Sequence, residues 1–169
     1  MALHMCDINY PFPLGGYTKF LDTLRFLRLL HWDTLPLTIF PKRFCPHDLV
    51  EVSLHRSNLT SFWKETVGIP KLRRLDLSGS ENLEQLPDLS MAVNLEELIT
   101  QGCKRLKRIP ESISNLTRLT KIDVSYCDDL NSYHITIREL TGRCRQIALY
   151  FSGGQITSVL VLSKRHLMN

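Results

Sequence analysis

The sequence predicts an α/β solenoid: an arc of stacked repeats with a parallel β-sheet on its concave side and short helical or irregular segments on its convex side. Three observations predict this fold. Leucines recur at fixed offsets, the block that carries them returns every 23 to 25 residues, and prolines follow the end of individual copies. One such block cannot bury its apolar side chains alone, so neighbouring copies must stack.

The copy that begins at Leu72 shows the pattern most clearly. Leucines stand at its offsets 0, 3, 5, 11 and 14 and a serine at offset 8, which is the L-x-x-L-x-L-x-x-N/C spacing of a leucine-rich repeat. The copies start at Leu24, Leu49, Leu72, Leu95 and Leu119, with a degenerate terminal copy from Cys144. We therefore expect a leucine-rich-repeat arc of about five to six repeats. Residues 1–23 are predicted to form an N-terminal flank or partial cap, 24–143 the repeats, and 144–169 a degenerate last repeat and tail.

Each copy predicts one short strand and a return across the core. Offsets 3 and 5 put alternate side chains on the buried face, so Leu27 and Leu29 are the inward residues of the first copy and Trp32 takes its offset 8. Pro41, Pro87 and Pro110 end extended segments by their fixed φ. Short helical or 3₁₀ turns are expected over 111–116 and 89–94.

Offset 8 holds Ser57, Ser80, Cys103 and Cys127 in the later copies. A small polar side chain at this position can hydrogen-bond the backbone of the adjacent loop. Both cysteines are therefore interpreted as structural, since free cysteine is often buried.

Offsets 2, 4 and 6 point away from the core and predict the surface that faces a partner. Charges alternate along offset 2, so this ladder can simply neutralise itself. A binding face is favoured because apolar residues stand where water is expected, at Phe26, Leu30 and Ile99. The predicted partner-binding residues are Phe26, Arg28, Leu30, Glu51, His55, Arg74, Asp76, Glu97, Ile99, Gln101, Lys121 and Asp123.

Charge, hydrophobicity and cysteine content restrict the cellular compartment and the partners that we expect for this chain. The net charge of +4 is too small to indicate nucleic acid, and no apolar run approaches the ~20 residues that span a bilayer. The first 16 residues lack the features of a signal peptide, and five cysteines without C-x-x-C spacing do not indicate a disulfide framework. We expect a cytoplasmic protein, with the nucleus as an alternative, that contacts no membrane.

No motif in the chain predicts catalysis, a metal or a cofactor. There is no phosphate-binding loop, no nucleophile elbow and no spaced Cys/His set, so neither an enzyme nor a small-molecule substrate is expected. A nucleophilic Cys144 is the weak enzymatic alternative, because nothing near it in sequence supplies a base. The basic cluster Lys104, Arg105, Lys107 and Arg108 lacks interleaved aromatics and is interpreted as a solvated edge rather than a nucleic-acid site.

Beyond the generic spacing, several phrases resemble one family. They include LRLLHWD from Leu27, LRRLDLSGSENL from Leu72, LPDLS from Leu86, NLEEL from Asn94 and GCKRL from Gly102. These phrases resemble the repeat region of plant intracellular disease-resistance receptors that carry an N-terminal Toll/interleukin-1 receptor domain and a central nucleotide-binding switch. The resemblance covers roughly residues 24–153.

This resemblance implies a sensor role. Such repeats bind a pathogen effector or a guarded host protein, and they restrain the switch domain until then. Neither the signalling domain nor the switch domain is in this sequence, so signalling, ADP or ATP binding and NAD cleavage are not assigned to it. We expect a fragment, an excised domain or a truncated relative. A free-standing scaffold or decoy that regulates complete receptors is the alternative.

Overall fold

Seven parallel strands form one sheet in the computed structural model, which describes residues 2–5, 26–40, 47–62, 68–130 and 146–148. Each strand pairs with the next along the chain, so strand order in space equals strand order in sequence. The strands are β1 (Ala2–Met5), β2 (Leu29–Trp32), β3 (Glu51–Ser53), β4 (Arg74–Asp76), β5 (Glu97–Ile99), β6 (Lys121–Asp123) and β7 (Gln146–Ala148). The predicted leucine-rich-repeat arc is confirmed.

The strand register lines up equivalent residues of successive repeats. One buried residue of each strand from β2 to β6 lies beside its equivalents in the neighbouring strands, at offset 3 when the first repeat is counted from Leu27. These residues are Leu30, Val52, Leu75, Leu98 and Ile122. Each strand buries this residue and the one two places later, because side chains alternate across a strand. The core is therefore a set of apolar columns that run through the stack, as the repeat spacing requires.

Behind the sheet, the return segments close the core with aromatic and aliphatic side chains. The rings of Phe40 and Phe62 stack with centroids 5.0 Å apart and an interplanar angle of 24°. Isolated parallel bridges connect Ile39 to Ser61, Ser61 to Gln85, and Gln85 to Arg108, which gives the far side its own sparse ladder. The repeats are thus tied together at both ends of the core.

The first copy begins three residues later than the sequence pattern predicts. Leu30 pairs with Val52 and Leu29 with Glu51, so the repeat starts at Leu27, not at Leu24. Trp32 consequently takes the inward offset 5 rather than offset 8, and it is 1% exposed. A leucine-rich stretch satisfies the leucine spacing in both registers, and a shift by an odd number of residues exchanges the two faces of the strand.

The segment predicted as a flank contributes a strand of the sheet. Strand β1 pairs with β2 over four residues, from Ala2 opposite Leu29 to Met5 opposite Trp32. At the other end, β7 pairs with β6 and sets Ile147 beside Ile122, the position predicted for offset 3 of the terminal copy. Its start at Cys144, the tail from residue 149 and Pro41 lie outside the described residues.

The convex side contains one of the two predicted helical turns. A 3₁₀ helix spans Glu111–Asn115, directly after Pro110, and buries Ile113. Residues 89–94 form no continuous helix, but the expected tight turns are there. Two successive turns replace it, closed by hydrogen bonds from Ala92 N–H to Leu89 O and from Leu95 N–H to Ala92 O, both 2.9 Å. No helix in the described residues is long and apolar enough to cross a membrane.

Candidate functional site

The concave face of the sheet consists of three columns that run across strands β2 to β6. We name them by their repeat offsets, with Leu27, Leu49, Leu72, Leu95 and Leu119 as the starts. Column 2 contains Leu29, Glu51, Arg74, Glu97 and Lys121, column 4 contains His31, Ser53, Asp76, Ile99 and Asp123, and column 6 contains Asp33, His55, Ser78, Gln101 and Ser125. Apart from Leu29 and Ile99, every side chain in these columns is polar or charged.

Arg74 is the hub of the charges on this face. Its guanidinium lies between the two acidic residues of the flanking strands, with Nε 3.4 Å from Glu51 Oε1 and Nη1 hydrogen-bonded to Glu97 Oε2. It also donates from Nη2 to Asp76 Oδ2 at 2.8 Å. The residues of opposite charge that alternate along column 2 therefore contact one another, but one arginine contacts three carboxylates.

His55 occupies an equivalent place between two acids. Its Nδ1 is 3.1 Å from Asp33 Oδ1 and its Nε2 is 3.3 Å from Asp76 Oδ2. The same Nε2 lies 3.2 Å from the hydroxyl of Ser53. On the neighbouring strand, His31 Nε2 is 3.3 Å from Glu51 Oε1. Four carboxylates of adjacent repeats thus share one arginine and two imidazoles.

The order Asp33, His55, Ser53 has the connectivity of a hydrolase triad, but it does not build a nucleophile. Ser53 is 7% exposed, so a substrate carbonyl has no approach to its oxygen. The carboxylate of Asp76 also faces the nitrogen that would accept the serine proton. We interpret the arrangement as a charge network. Within the described part of the chain, no group of three His, Cys, Asp or Glu residues is placed to hold a metal ion.

Asp76 is the buried anchor of the network, with its side chain 5% exposed. Burial raises the pKa of Asp76, but hydrogen bonds from the Ser78 hydroxyl and amide and from His55 outweigh it and hold the pKa below its usual value. Asp123 repeats the motif, since Oδ1 accepts bonds from Ser125 N–H at 3.0 Å and from the Ser125 hydroxyl at 2.5 Å. The Asp-x-Ser pairs fix the chain where it leaves the strand.

The structure places nine of the twelve predicted residues in the three columns and three outside them. Leu30 is 0% exposed and belongs to the core, because of the three-residue register shift. Phe26 and Arg28 are exposed but precede β2 and lie outside the three columns. Ile99 lies in column 4 yet is only 7% exposed, because column 4 is the centre of a concave face and its neighbours cover it. The expected apolar patch therefore does not exist on this face.

Three residues of the face were missed, namely Leu29, His31 and Asp33. The alternation Leu30, His31, Trp32, Asp33 carried the signal, because strictly alternating apolar and polar residues indicate a half-buried strand. That pattern agrees only with the later register. The shift replaces two apolar residues and an arginine of the predicted face with a leucine, an imidazole and a carboxylate.

A groove continues the concave face at the carboxyl ends of the strands. Its volume is about 660 Å³, and its lining includes Asp33, His55, Arg56, Gln101 and Tyr126. Its floor is glycine backbone, since Gly79 and Gly102 are adjacent there. A Cβ built on Gly102 meets only Gly79 backbone atoms, at 3.7 Å, so the space above is open.

Offset 7 gives the groove its shape, because every residue at this offset has a left-handed backbone. The φ values are 56° for Thr34, 50° for Arg56, 72° for Gly79, 73° for Gly102 and 58° for Tyr126. In the first four, the amide at offset 7 donates to the offset 6 carbonyl of the next repeat, at 2.7 to 2.9 Å. The sheet ladder therefore continues past the strands, and the Arg56 and Tyr126 side chains stand on either side of the two glycines.

Offset 8 performs the structural role that the sequence predicted. Cys103 Sγ donates to Leu77 O at 3.2 Å and Cys127 Sγ to Thr100 O at 3.1 Å, while Ser80 Oγ donates to Leu54 O at 3.1 Å. Burial raises the pKa of both thiols, that of Cys127 to about 11. These cysteines are therefore protonated hydrogen-bond donors inside the stack.

In the basic cluster of the fourth repeat, Lys104 and Lys107 pair with carboxylates of the preceding repeat. Lys104 Nζ is 2.8 Å from Glu81 Oε1, and Lys107 Nζ is 2.7 Å from Glu84 Oε2. These pairs cross from one repeat to the preceding one. They support the interpretation of this cluster as a solvated edge, away from the concave columns.

Comparisons with known proteins agree with the geometry. Residues 65–142 match the family model described as Zer-1-like, leucine-rich repeats. Three Arabidopsis thaliana proteins are similar to the chain: "Protein SUPPRESSOR OF npr1-1, CONSTITUTIVE 1" at 43% identity over 107 residues, "Disease resistance protein RML1B" at 46% over 101, and "Disease resistance protein RPP4" at 38% over 133. They cover 63%, 60% and 76% of this chain. The chain in turn spans 7%, 10% and 12% of those proteins.

The parallel sheet, its columns and the matching family model define a leucine-rich-repeat protein. Proteins of this class use their extended concave surfaces to bind other proteins. The repeats of this chain are similar to those of plant disease resistance proteins, and the resemblance seen in the sequence is confirmed.

Proposed function

We propose that the chain is a protein-recognition module that works as the sensor repeats of a plant intracellular immune receptor do. Its partner is a pathogen effector or a host protein, and in a complete receptor the same repeats restrain the switch domain. The observation that supports this is the concave face: polar side chains in register across five strands, left about a third exposed at Glu51, Arg74 and Glu97, and continuous with an open groove. The compartment that fits this role is the cytoplasm or the nucleus.

Core residues at offsets 0, 3 and 5 set the fold, whereas columns 2 and 6 contribute little to the core and are available for a partner. Non-covalent contact with a protein is the activity that such a polar, partly exposed surface supports. Nucleic acid, a membrane and a small-molecule substrate are not part of the proposal.

Site-specific photocrosslinking in plant tissue tests the proposal. A photoreactive amino acid replaces Gln101, an exposed concave residue, or Glu111, an exposed residue of the convex 3₁₀ helix. We expect one defined protein crosslinked from position 101 and absent from position 111. Crosslinking that occurs only from position 111, or equally from both, would show that the concave face is not the recognition surface.

The second candidate is a free-standing scaffold or decoy that regulates complete receptors by pairing through its ends. The supporting observation is that β1 and β7 are the outer strands of the described sheet, each paired on one side there. Size-exclusion chromatography at several concentrations tests it. Concentration-dependent dimers support end-to-end pairing, whereas a strict monomer argues against it.

A further inference from the structure

The concave face carries an excess of negative charge, although the chain as a whole is positive. Five carboxylates lie in its columns, at Asp33, Glu51, Asp76, Glu97 and Asp123, against the cations Arg74 and Lys121. The columns therefore hold three more carboxylates than arginine and lysine side chains, and the imidazoles of His31 and His55 lie among these carboxylates. The full chain has a net charge of +4, so its cations lie predominantly elsewhere.

Contacts within the face do not remove this excess. Arg74 divides its donors among Glu51, Asp76 and Glu97, so none of the three has a cation of its own. Asp33 lies 3.1 Å from the His55 imidazole, and that ring is shared with Asp76. Neighbouring strands are about 4.8 Å apart, so the charges within a column lie close together and add to one potential over the face.

We propose that the concave face binds a basic polypeptide segment, in which spaced arginine or lysine side chains of the partner meet the carboxylates of columns 2 and 6. This rests on the proposed function and specifies its partner. Charge complementarity identifies the occupant: guanidinium and ammonium groups form charge-assisted hydrogen bonds with carboxylates. The segment continues into the groove at the end that carries Asp33 and His55, and the Arg56 side chain on the rim disfavours a cation beside it, so polar residues of the segment lie there and towards Gln101.

The same charges disfavour other occupants. Phosphate groups and acidic peptides are repelled by the excess of carboxylates. A wholly apolar segment would bury Glu51, Glu97 and Asp33 without compensating them, which costs more than the contact returns. The face therefore selects for cationic side chains with a polar backbone.

A peptide-binding titration tests the inference on the full chain. The probe is a fluorescently labelled peptide of alternating arginine and serine, and the comparison is the same peptide with glutamate in place of arginine. Fluorescence polarisation at low salt should show saturable binding of the arginine peptide and none of the glutamate peptide. Binding should weaken steeply as salt is added, because exposed charge pairs are screened.

Matched variants locate the site. Glu51→Gln with Glu97→Gln removes two charges from column 2, and Glu81→Gln with Glu84→Gln removes two charges outside the three columns, where they pair with Lys104 and Lys107. We expect the concave variant to bind the arginine peptide about fivefold more weakly, and the edge variant less than about twofold, given exposed pairs worth up to about 1 kcal/mol each. Equal losses in both variants, or equal binding of the glutamate peptide, would overturn the inference.

The photocrosslinking experiment separates this inference from the function on which it rests. If position 101 captures a partner through a segment rich in arginine or lysine, both stand. If it captures a defined partner through an acidic or apolar segment, the recognition function stands and the basic-segment inference fails. If position 101 captures nothing that position 111 does not, the recognition function itself fails.

Discussion

Replacing Leu98 by alanine should destabilise the whole stack, because this side chain is at the centre of the sheet. It is 0% exposed and stands between Leu75 and Ile122, which are themselves buried. The change removes three carbons, worth about 2.4 kcal/mol at about 0.8 kcal/mol each, and a cavity term of about 1 kcal/mol adds to it because strands on both sides prevent collapse. We expect the free energy of unfolding to fall by about 3 kcal/mol.

Urea unfolding followed by far-UV circular dichroism and tryptophan fluorescence measures this loss. Trp32 is 1% exposed and lies three strands from Leu98. With the second tryptophan removed by Trp63→Phe in every variant, the fluorescence of Trp32 tests whether the repeats unfold together. Leu86→Ala is the matched control, since Leu86 is only partly buried against the core, and about 1 kcal/mol is expected for it. Equal losses for the two variants, or a fluorescence transition that stays in place while circular dichroism shifts, would refute the reasoning that the columns form one cooperative core.

Three further predictions follow from local geometry. Gly102→Ala should lower the free energy of unfolding by about 1 kcal/mol, because φ is 73° at this residue. Arg56→Asn, at the same offset, should leave the free energy of unfolding unchanged or raise it by up to about 1 kcal/mol, because asparagine tolerates the left-handed region. Urea midpoints measure both changes, and a loss of stability in both variants would indicate that lost contacts rather than the backbone conformation decide. Asp76→Asn should make stability depend less on pH on the acid side of neutrality. The folded-state pKa of Asp76 is lowered, so its contribution to stability is present at neutral pH and is lost as the pH falls through that pKa. Urea midpoints at successive pH values measure this dependence. Cys103 and Cys127, whose pKa values are raised by burial, should resist alkylation by iodoacetamide at neutral pH until the chain unfolds, as peptide mass spectrometry can show; rapid native labelling would contradict their burial.

The sequence was sufficient to predict the fold from Leu49 onward, because the leucine columns and the small residues at offset 8 have one consistent spacing there. In the first copy, leucines at 24, 27, 29 and 30 satisfy the pattern in two registers, and spacing alone could not choose between them. The structure has the later register, in which Trp32 takes the inward offset 5 and the polar residues His31 and Asp33 face the open side of the sheet. Strand β1 escaped prediction because its four residues carry no complete repeat.

The positions of the candidate site residues were predictable from the sequence, but their contacts and their burial were less so. Offsets identified Glu51, Arg74 and Glu97 as neighbours, yet no offset shows that one guanidinium is shared among three acids. The burial of Ile99 and Asp76 also depends on curvature, which brings columns 2 and 6 over column 4. The left-handed offset 7 had a partial signal in Gly79 and Gly102, but Thr34 and Arg56 at equivalent positions concealed it.

The offset 7 column explains how such a surface can vary while the fold stays fixed. A left-handed residue with a side chain costs about 1 kcal/mol, and the chain accepts this at Thr34, Arg56 and Tyr126. The amides of the first two are held by interrepeat hydrogen bonds of 2.7 and 2.9 Å, which require only the backbone. The side chain at this offset is therefore set by neither the core nor the ladder. Strain of this kind persists where the surrounding structure over-determines the backbone. Because all three of these side chains line the groove, substitutions at offset 7 can change the groove for a new partner without disturbing the repeats.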